Sequence, residues 1–200
     1  MTRLLIASNN QGKIKEIKQL LAPFHVTVVS LKDLQIEADV EETGTTLREN
    51  AALKAETLAN QTKMLTLADD SGLSVDILNG APGVYSARYS GPEKDSEKNI
   101  NKLLDNLEGV PDARRTAHFS CVLALSRPDA PTHFAEGRCD GQITLERHGK
   151  SGFGYDPVFL IPEKGQTFAE MSDDAKNLIS HRGRALQQLV NHWASWVGED

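Results

Sequence analysis

The chain has 200 residues, which is enough for one large domain or two small lobes. Its apolar fraction of 39% and charged fraction of 25% are typical of a soluble globular protein with a sizeable core. The net charge of −6 argues against a protein that binds a nucleic acid polymer, because such proteins usually present a basic face. A single nucleotide remains compatible with this charge, since a few local cations and a metal can neutralise its phosphates.

The two cysteines, Cys121 and Cys139, lie in strand-like runs and lack the spacing of a metal site. We therefore expect reduced thiols rather than a disulfide. The first residues run directly into a strand pattern without a cleavable signal, and no apolar stretch reaches the length of a membrane span. These features predict a cytoplasmic protein with no membrane partner.

The first elements alternate between strand and helix. Residues 3–8 and 26–30 predict two short strands. Between them, apolar residues recur at helical spacing from Ile14 to Leu21, and Pro23 ends this predicted helix.

A second helix is predicted to begin with a capping box at residues 46–49 and to run to about Asn60. Asn50 and Lys54 lie four residues apart on it and share a side with apolar residues, so this side packs inward. A buried lysine needs an anionic partner, and we expect one for Lys54.

An acidic segment, Asp69-Asp70-Ser71-Gly72, lies between two apolar runs. The pattern predicts a strand that ends in an acidic loop. Carboxylates held rigidly at a strand end suit a hard cation such as Mg²⁺, which takes oxygen ligands. Taken alone, the segment fits equally well a turn in which Asp69 or Asp70 caps backbone amides.

The second half of the chain predicts one helix, several adjacent strands and a final helical region. Residues 80–91 form a loop rich in Gly, Pro and Ser, and the next helix carries Ile100 and Leu107. Ser172 is a suitable N-cap for the last helical region, which Gly183 could kink or divide. Strands are expected over residues 116–126, 132–146 (one or two, with Gly137 and Gly141 as bulge or turn positions) and 157–161. Together these elements predict an α/β fold with a mixed sheet and flanking helices.

Two segments are candidates for binding phosphate or metal. The first, Ser8-Asn9-Asn10-Gln11-Gly12-Lys13, lies at a predicted helix N-terminus, where free N–H groups and the helix dipole favour an anion. It lacks the Walker spacing, and asparagine capping with a solvated lysine explains it slightly better in isolation. The second, Glu41-Glu42, could bring another carboxylate to a metal, although favourable charge near a helix start is the stronger interpretation in isolation.

Two later segments are candidates for binding a flat ligand. In residues 152–157, two glycines allow close backbone approach, and Phe153 and Tyr155 offer stacking surfaces for a base. A tight turn before a strand is the weaker interpretation here. Lys176, Ser180 and His181 share one side of a predicted helix, and Arg182 can donate a bidentate pair to carbonyl or phosphate oxygens. A solvated helix end explains Lys176 and Arg182 almost as well when they are taken singly.

In this order along the chain, the segments resemble the Ham1/RdgB family of inosine/xanthosine triphosphate pyrophosphatases. No single motif is decisive, but the ordered set is specific and covers almost the whole chain. The matching segments are residues 8–13, 41–44, 49–51 with Lys54 and Ala55, 68–73, 80–89, 152–157 and 179–183.

The resemblance implies a role for each candidate residue. Asp70 is the general base and a Mg²⁺ ligand, with Glu41 contributing to the metal site, and Ser71 contacts the substrate. Lys54 faces an anion in the same cleft. Phosphates are held by Ser8, Asn9, Asn10, Gln11, Gly12 and Lys13. The nucleotide pocket consists of Phe153, Gly154, Tyr155, Asp156, Lys176, His181 and Arg182.

The resemblance also implies one ITPase-like domain over residues 1–200, with an elongated mixed sheet, two lobes around an active-site cleft, and a homodimer. The activity it implies is Mg²⁺-dependent hydrolysis of ITP, dITP and XTP to the monophosphate and pyrophosphate. Two other interpretations stay open at this point. One is a Maf-like pyrophosphatase acting on modified pyrimidine nucleotides, and the other is a nucleotide-binding module without catalysis. The carboxylates Asp69, Asp70 and Glu41 argue against the second, because binding a polyanion gains little from three negative groups.

Overall fold

Strands and helices alternate through residues 2–24, 26–38 and 40–197, which the computed structural model describes. Short 3₁₀ helices occupy several of the connections, including residues Gly83–Arg88 and Asp156–Val158. The strands are β1 (Arg3–Ile6), β2 (Thr27–Ser30), β3 (Leu65–Val75), β4 (Thr116–Ser126), β5 (His133–Ile143), β6 (Phe159–Ile161) and β7 (Gln166–Thr167). The α-helices are α1 (Gln11–Leu21), α2 (Leu47–Thr62), α3 (Ser96–Asn106), α4 (Asp173–Ile179), α5 (His181–Asn191) and α6 (Trp193–Val197).

The strands form one sheet in the order β2-β1-β3-β4-β5-β6-β7. Strand β1 pairs in parallel with β2 and with β3, whereas β6 pairs antiparallel with β5 and with β7. Parallel neighbours need a crossover, and helices α1 and α2 lie in the connections on either side of β2. The mixed α/β fold predicted from the sequence is therefore confirmed.

The acidic segment lies inside a strand, so the prediction of a strand that ends in an acidic loop is wrong. Strand β3 runs without interruption from Leu65 to Val75 and includes Asp69, Asp70 and Gly72. The polar residues resemble a turn signal, but ion pairs with Lys13 and Arg182 compensate the burial of Asp69. Lys54 compensates the burial of Asp70 in part. Gly72 is required for packing, because a Cβ atom there would collide with the carbonyl of Gly83.

Contacts divide the chain into two compact units. Unit 1 is built from the described parts of residues 1–70, 121–137 and 182–200, and unit 2 from residues 71–120 and 138–181. Strands β3, β4 and β5 contribute residues to both units. The description of residues 1–200 as one domain stays a prediction.

Unit 1 has apolar clusters built from its helices and strands. Helix α1 buries Ile14, Ile17 and Leu21 at the predicted helical spacing, and Pro23 lies in the 3₁₀ turn that follows. Fully burying one such side chain stabilises the fold by roughly 1.5–3 kcal/mol. Helix α2 begins with the predicted capping box: Thr46 Oγ1 accepts a hydrogen bond from the Glu49 amide at 3.1 Å, and the Thr46 amide donates to the Glu49 carboxylate at 3.0 Å.

Unit 2 has an aromatic core in which Phe119, Phe159 and Phe168 pack together, with centroid distances of 4.6–6.1 Å. Arg115 is fully buried beside this core and donates to three backbone carbonyls, those of Leu107, Ile143 and Thr144, each at 2.8 Å. This residue ties the end of α3 to the end of β5, because Leu107 directly follows α3 while Ile143 and Thr144 lie at the end of β5.

The final helical region is divided at Ser180 rather than at Gly183. The side chain of Ser172 caps α4 as predicted, but Ser180 has an extended backbone with φ −67° and ψ 157°. The predicted helix side shared by Lys176, Ser180 and His181 is therefore wrong, since His181 begins the next helix. Residues 133–143 form a single strand, and β7 was not predicted because a two-residue strand has no periodicity.

Both cysteines are free, as predicted, and both are buried. Among the described residues, no helix combines the length and apolar character that crossing a bilayer requires.

Candidate active site

Asp69 is the centre of a buried ion-pair network in unit 1. Its side chain is fully buried, forms an ion pair with Lys13, and accepts from Arg182 Nε at 2.8 Å and from the Cys121 thiol at 3.1 Å. Burial alone would raise the pKa of Asp69, but Arg182 and Lys13 hold this pKa well below its usual range. Asp69 is thus a structural anion that orients two cations.

Arg182 is buried with two acidic partners, Asp69 and Glu16. Burial alone would lower the pKa of Arg182, but these two carboxylates raise it. Its three nitrogens are therefore all directed at carboxylates, which supports a structural role for this side chain. Glu16 was not predicted as a site residue, although its position three residues after Lys13 on α1 places both on one helix side.

Asp70 has surroundings that differ from those of its neighbour. Its Oδ1 lies 3.3 Å from Lys54 Nζ, and its Oδ2 is buried without a hydrogen-bond partner among the described residues. Burial raises the pKa of Asp70, and Lys54 and Lys13 only partly offset the effect. A buried carboxylate oxygen without a partner costs free energy, so this atom is available for a cation or for a proton.

Lys54 has the anionic partners that its predicted burial requires. Its ammonium group donates to Glu42 at 2.8 Å, to the Asp69 carbonyl at 2.9 Å and to Asp70 at 3.3 Å. Burial alone would lower the pKa of Lys54, but Asp70 and Glu42 raise it. Lys54 is consequently a fixed positive charge beside the unpartnered oxygen of Asp70.

The two acidic residues before α2, Glu41 and Glu42, have different surroundings. Glu42 contacts Lys54, whereas the side chain of Glu41 is exposed. The buried Asn50 holds this segment against α2, since its Oδ1 accepts from the Gly44 amide at 2.8 Å. The metal-binding role of Glu41 stays a prediction.

The residues around Asp70 fit a magnesium ion. No group of three or more His, Cys, Asp or Glu side chains forms a complete metal cage in the described parts of the chain. Mg²⁺ does not need such a cage, because it keeps several waters and usually takes one or two carboxylates together with substrate phosphates. The unpartnered Oδ2 of Asp70 is the donor that suits this mode of binding.

The candidate phosphate segment occupies the N-terminus of α1. Asn10 caps the helix, because its Oδ1 accepts from the Lys13 amide at 3.1 Å, and Ser8 Oγ accepts from the Asn10 amide at 3.1 Å. Asn9 donates to the Ala38 carbonyl at 3.1 Å, while Gln11 and Gly12 form the first turn. The interpretation with a solvated Lys13 is wrong, since this side chain is paired with buried Asp69.

Unit 2 contains a second charged group, centred on Asp156 and Lys176. Asp156 Oδ2 accepts from Lys176 Nζ at 2.7 Å and from the Phe153 amide at 2.9 Å, and both charged side chains are buried. The Lys176 ammonium also lies 4.9 Å from the centroid of the Phe153 ring. The structure thus brings together three of the residues that the sequence predicts for the nucleotide pocket.

Tyr155 and His181 are buried rather than open to a ligand. The Tyr155 hydroxyl donates to the Ser86 carbonyl at 2.8 Å, and its ring belongs to the unit 2 core, which does not support the predicted stacking on a base. His181 stacks on Phe119 with a centroid distance of 4.6 Å. Gly154 has a φ of +59° with open space around it, and Ser71 is half-buried on β3.

Comparisons with known proteins identify the family of this chain. The Ham1 family profile matches residues 4–192. The dITP/XTP pyrophosphatase of Listeria innocua is 52% identical over 197 residues, which cover 98% of this chain and 97% of that protein. The dITP/XTP pyrophosphatase of Bacillus subtilis is 48% identical over 189 residues, which cover 94% of this chain and 96% of that protein.

Two solved structures of Ham1 proteins are similar to this chain in fold and in sequence. The Ham1 protein of Staphylococcus aureus has a TM-score of 0.83 and 42% identity, with 100% of both chains covered. A HAM1 protein from Coxiella burnetii has a TM-score of 0.86 and 41% identity, with 98% of this chain and 100% of that chain covered. On the match of sequence and fold over nearly its whole length, the chain belongs to the Ham1 family.

Proposed function

We propose that the chain is a Mg²⁺-dependent nucleoside triphosphate pyrophosphatase that hydrolyses XTP, dITP and ITP to the monophosphate and pyrophosphate. Its assignment as a pyrophosphatase rests on relatives of that name at about half identity over nearly the full chain. Removal of these deaminated purines keeps them out of DNA and RNA.

The cations of unit 1 support binding of a triphosphate. Lys13 lies in the first turn of α1, where the N–H groups and the helix dipole favour anions, and Asp69 fixes its position. Asp70 would hold Mg²⁺ together with Glu41, and the bound metal would neutralise phosphate charge and polarise the oxygens. Lys54 adds a fixed positive charge next to Asp70.

Asp70 is the proposed general base. Its carboxylate accepts a proton from water while the water oxygen bonds to the α-phosphorus, and the bond to the bridging oxygen breaks as pyrophosphate leaves. The raised pKa of Asp70 makes it a better proton acceptor than an ordinary carboxylate, provided it is ionised at the working pH. Positioning and electrostatics supply most of the remaining rate.

We assign base selection to the charged group of unit 2, which consists of Phe153, Asp156 and Lys176. A 6-carbonyl, present in ITP, XTP and GTP, would pair with a donor such as Lys176, whereas the 6-amino group of ATP would leave that donor unpaired and would bring an opposing N–H. A buried donor without its partner costs about 1–3 kcal/mol, so two mismatches give on the order of 10²-fold discrimination. Rejection of GTP requires steric or desolvation cost at its 2-amino group.

The observation that carries this proposal is that Asp69 is fixed by Arg182, while Asp70 beside Lys54 keeps one buried oxygen, Oδ2, that has no hydrogen-bond partner among the described residues. A substrate panel with Mg²⁺, assayed as monophosphate formed, tests it directly. We expect XTP, dITP and ITP to be strongly preferred over ATP and GTP, with little discrimination by the sugar. Equal kcat/KM values for ITP and ATP would refute the base preference, and absence of monophosphate from every triphosphate would refute the activity.

The same panel separates the two alternative functions. A Maf-like enzyme would hydrolyse modified pyrimidine triphosphates in preference to ITP and XTP. A nucleotide-binding module would bind without releasing pyrophosphate, which a phosphate assay coupled to inorganic pyrophosphatase detects. We also expect a cytoplasmic homodimer, and light scattering after size-exclusion chromatography would measure its mass.

A further inference from the structure

We propose that Tyr155 and Ser86 are positioning residues for base recognition, which together link the base-binding segment of residues 153–156 to strand β3. Neither side chain would touch the substrate. The proposal rests on the function proposed above, because it takes Phe153, Asp156 and Lys176 as the base-binding group.

The first part of the link is the phenol of Tyr155. The side chain is 5% exposed, and its hydroxyl donates to the Ser86 carbonyl at 2.8 Å. Burial raises the pKa of Tyr155, so this hydroxyl keeps its proton and remains a donor across the working range of pH. The following residue is Asp156, whose carboxylate binds both Lys176 and the Phe153 amide, so a shift of Tyr155 also moves these donors.

The second part of the link is the hydroxyl of Ser86. It accepts from the Leu73 amide at 2.8 Å and donates to the Gly83 carbonyl at 2.6 Å. A serine hydroxyl has one proton, which is used within the 3₁₀ helix Gly83–Arg88, while the acceptor contact with Leu73 fastens this helix to β3. Tight packing supports the same contact, because a Cβ atom at Gly72 would collide with the Gly83 carbonyl.

The link ends at the part of β3 that carries the predicted substrate contact. Leu73 follows Ser71 by two residues in the same strand, so both side chains point to the same face of the sheet. One connected set of contacts in unit 2 therefore runs from Lys176 through Asp156, Tyr155 and Ser86 to β3. These contacts position the base relative to Ser71, and selection between similar purines depends on that position.

Tyr155→Phe removes only the donor of this link, and Tyr89→Phe is its matched control. The Tyr89 hydroxyl accepts from Asn106 at 2.7 Å in the same unit, and no hydrogen bond joins it to Ser86 or Asp156 in the described residues. We expect Tyr155→Phe to lower the ratio of kcat/KM for XTP over GTP about fivefold to tenfold, the size of effect of one buried hydrogen bond. We expect kcat for XTP to change less than about threefold, because neither side chain would touch the reacting atoms. Tyr89→Phe should leave the selectivity ratio unchanged.

Ser86→Ala tests whether the effect passes through the serine. It should lower the same ratio, and Tyr155→Phe added to it should have little further effect, because the link is already broken. A purely structural role would lower the melting temperature and reduce activity on both nucleotides equally, and that result would overturn the inference. The inference would also be overturned if the ratio of kcat/KM for XTP over GTP were the same in Tyr155→Phe and in Tyr89→Phe. Failure of the wild-type protein to hydrolyse XTP would instead refute the proposed function.

Discussion

Asp69 and Asp70 are neighbours in β3, but their carboxylates experience opposite electrostatic surroundings. Successive side chains of a strand point to opposite faces, so each acid meets different elements. Asp69 meets Lys13 and Arg182, which hold its pKa well below the usual range, whereas burial raises the pKa of Asp70. One residue thus supplies a fixed anion and the other a carboxylate available for a cation or a proton.

Substitution of the two acids by asparagine should separate activity from stability. Asp70→Asn should lower kcat on the order of 10² or more, since general acid–base catalysis typically contributes that much. Its melting temperature should be unchanged or higher, because the buried charge of Asp70 is incompletely compensated and Lys54 keeps its bond to Glu42. Kinetics and thermal unfolding of the same preparations measure both quantities.

Asp69→Asn is the matched variant, with the opposite expectation for stability. It leaves Lys13 and Arg182 short of a countercharge, and breaking a buried pair costs about 3–5 kcal/mol. Denaturant unfolding should show this loss. A stable, active Asp69→Asn protein together with an unstable Asp70→Asn protein would mean that the two roles are reversed.

The pH dependence of activity and stability should follow these same two groups. A raised pKa means that, in the metal-free protein, Asp70 takes up a proton at a higher pH than an ordinary aspartate of about 3.9. This proton competes with Mg²⁺ for the carboxylate, so activity should fall on the acid side. The lowered pKa of Asp69 contributes stability that is fully present above the unfolded value of about 3.9 and is lost as pH falls towards the folded value.

Two measurements check these signs. A pH–rate profile of the wild-type protein at two Mg²⁺ concentrations locates the acid limb, and an acid limb that does not move to lower pH at the higher Mg²⁺ concentration would contradict the role of Asp70. Unfolding measured against pH should show that Asp69→Asn flattens the acid-side loss of stability, while Asp70→Asn should leave that loss in place.

Isotope labelling should identify the phosphorus atom that water attacks. Hydrolysis in ¹⁸O-water should place the label in the nucleoside monophosphate if attack occurs at the α-phosphorus, and mass spectrometry of the products measures this. Label found only in pyrophosphate would mean attack at the β-phosphorus. Release of orthophosphate with a nucleoside diphosphate would exclude a pyrophosphatase.

Arg182 and Lys176 should respond differently to substitution, because the structure places them in different networks. Arg182→Ala removes the partner of both Asp69 and Glu16, so we expect lower stability and an equal loss of kcat/KM on ITP and ATP. The sequence pattern alone predicts a greater loss on ITP, as expected of a residue that reads the base. Lys176→Gln should instead reduce kcat/KM for ITP more than for ATP, since it removes a charged donor of the base-binding group. Steady-state kinetics with both nucleotides decide between the two roles.

The sequence by itself determined the features that depend on local interactions. The capping box at Thr46, the Ser172 cap and the strand over residues 116–126 formed as predicted, because their signals lie within one turn or one strand. The burial of Lys54 and its need for an anion also followed from helical spacing. The order of the segments was sufficient to identify the family.

Only the tertiary structure decided which polar residues are structural and which are available for chemistry. Asp69 and Arg182 are separated by 113 residues, and no local pattern predicts that they form a pair. Tyr155 occupies the core instead of an open stacking surface. Its hydrogen-bond partner Ser86 lies 69 residues away, so no local pattern predicts this contact. Burial and charge compensation arise when distant segments pack together, so the different roles of two adjacent aspartates become visible only in the folded chain.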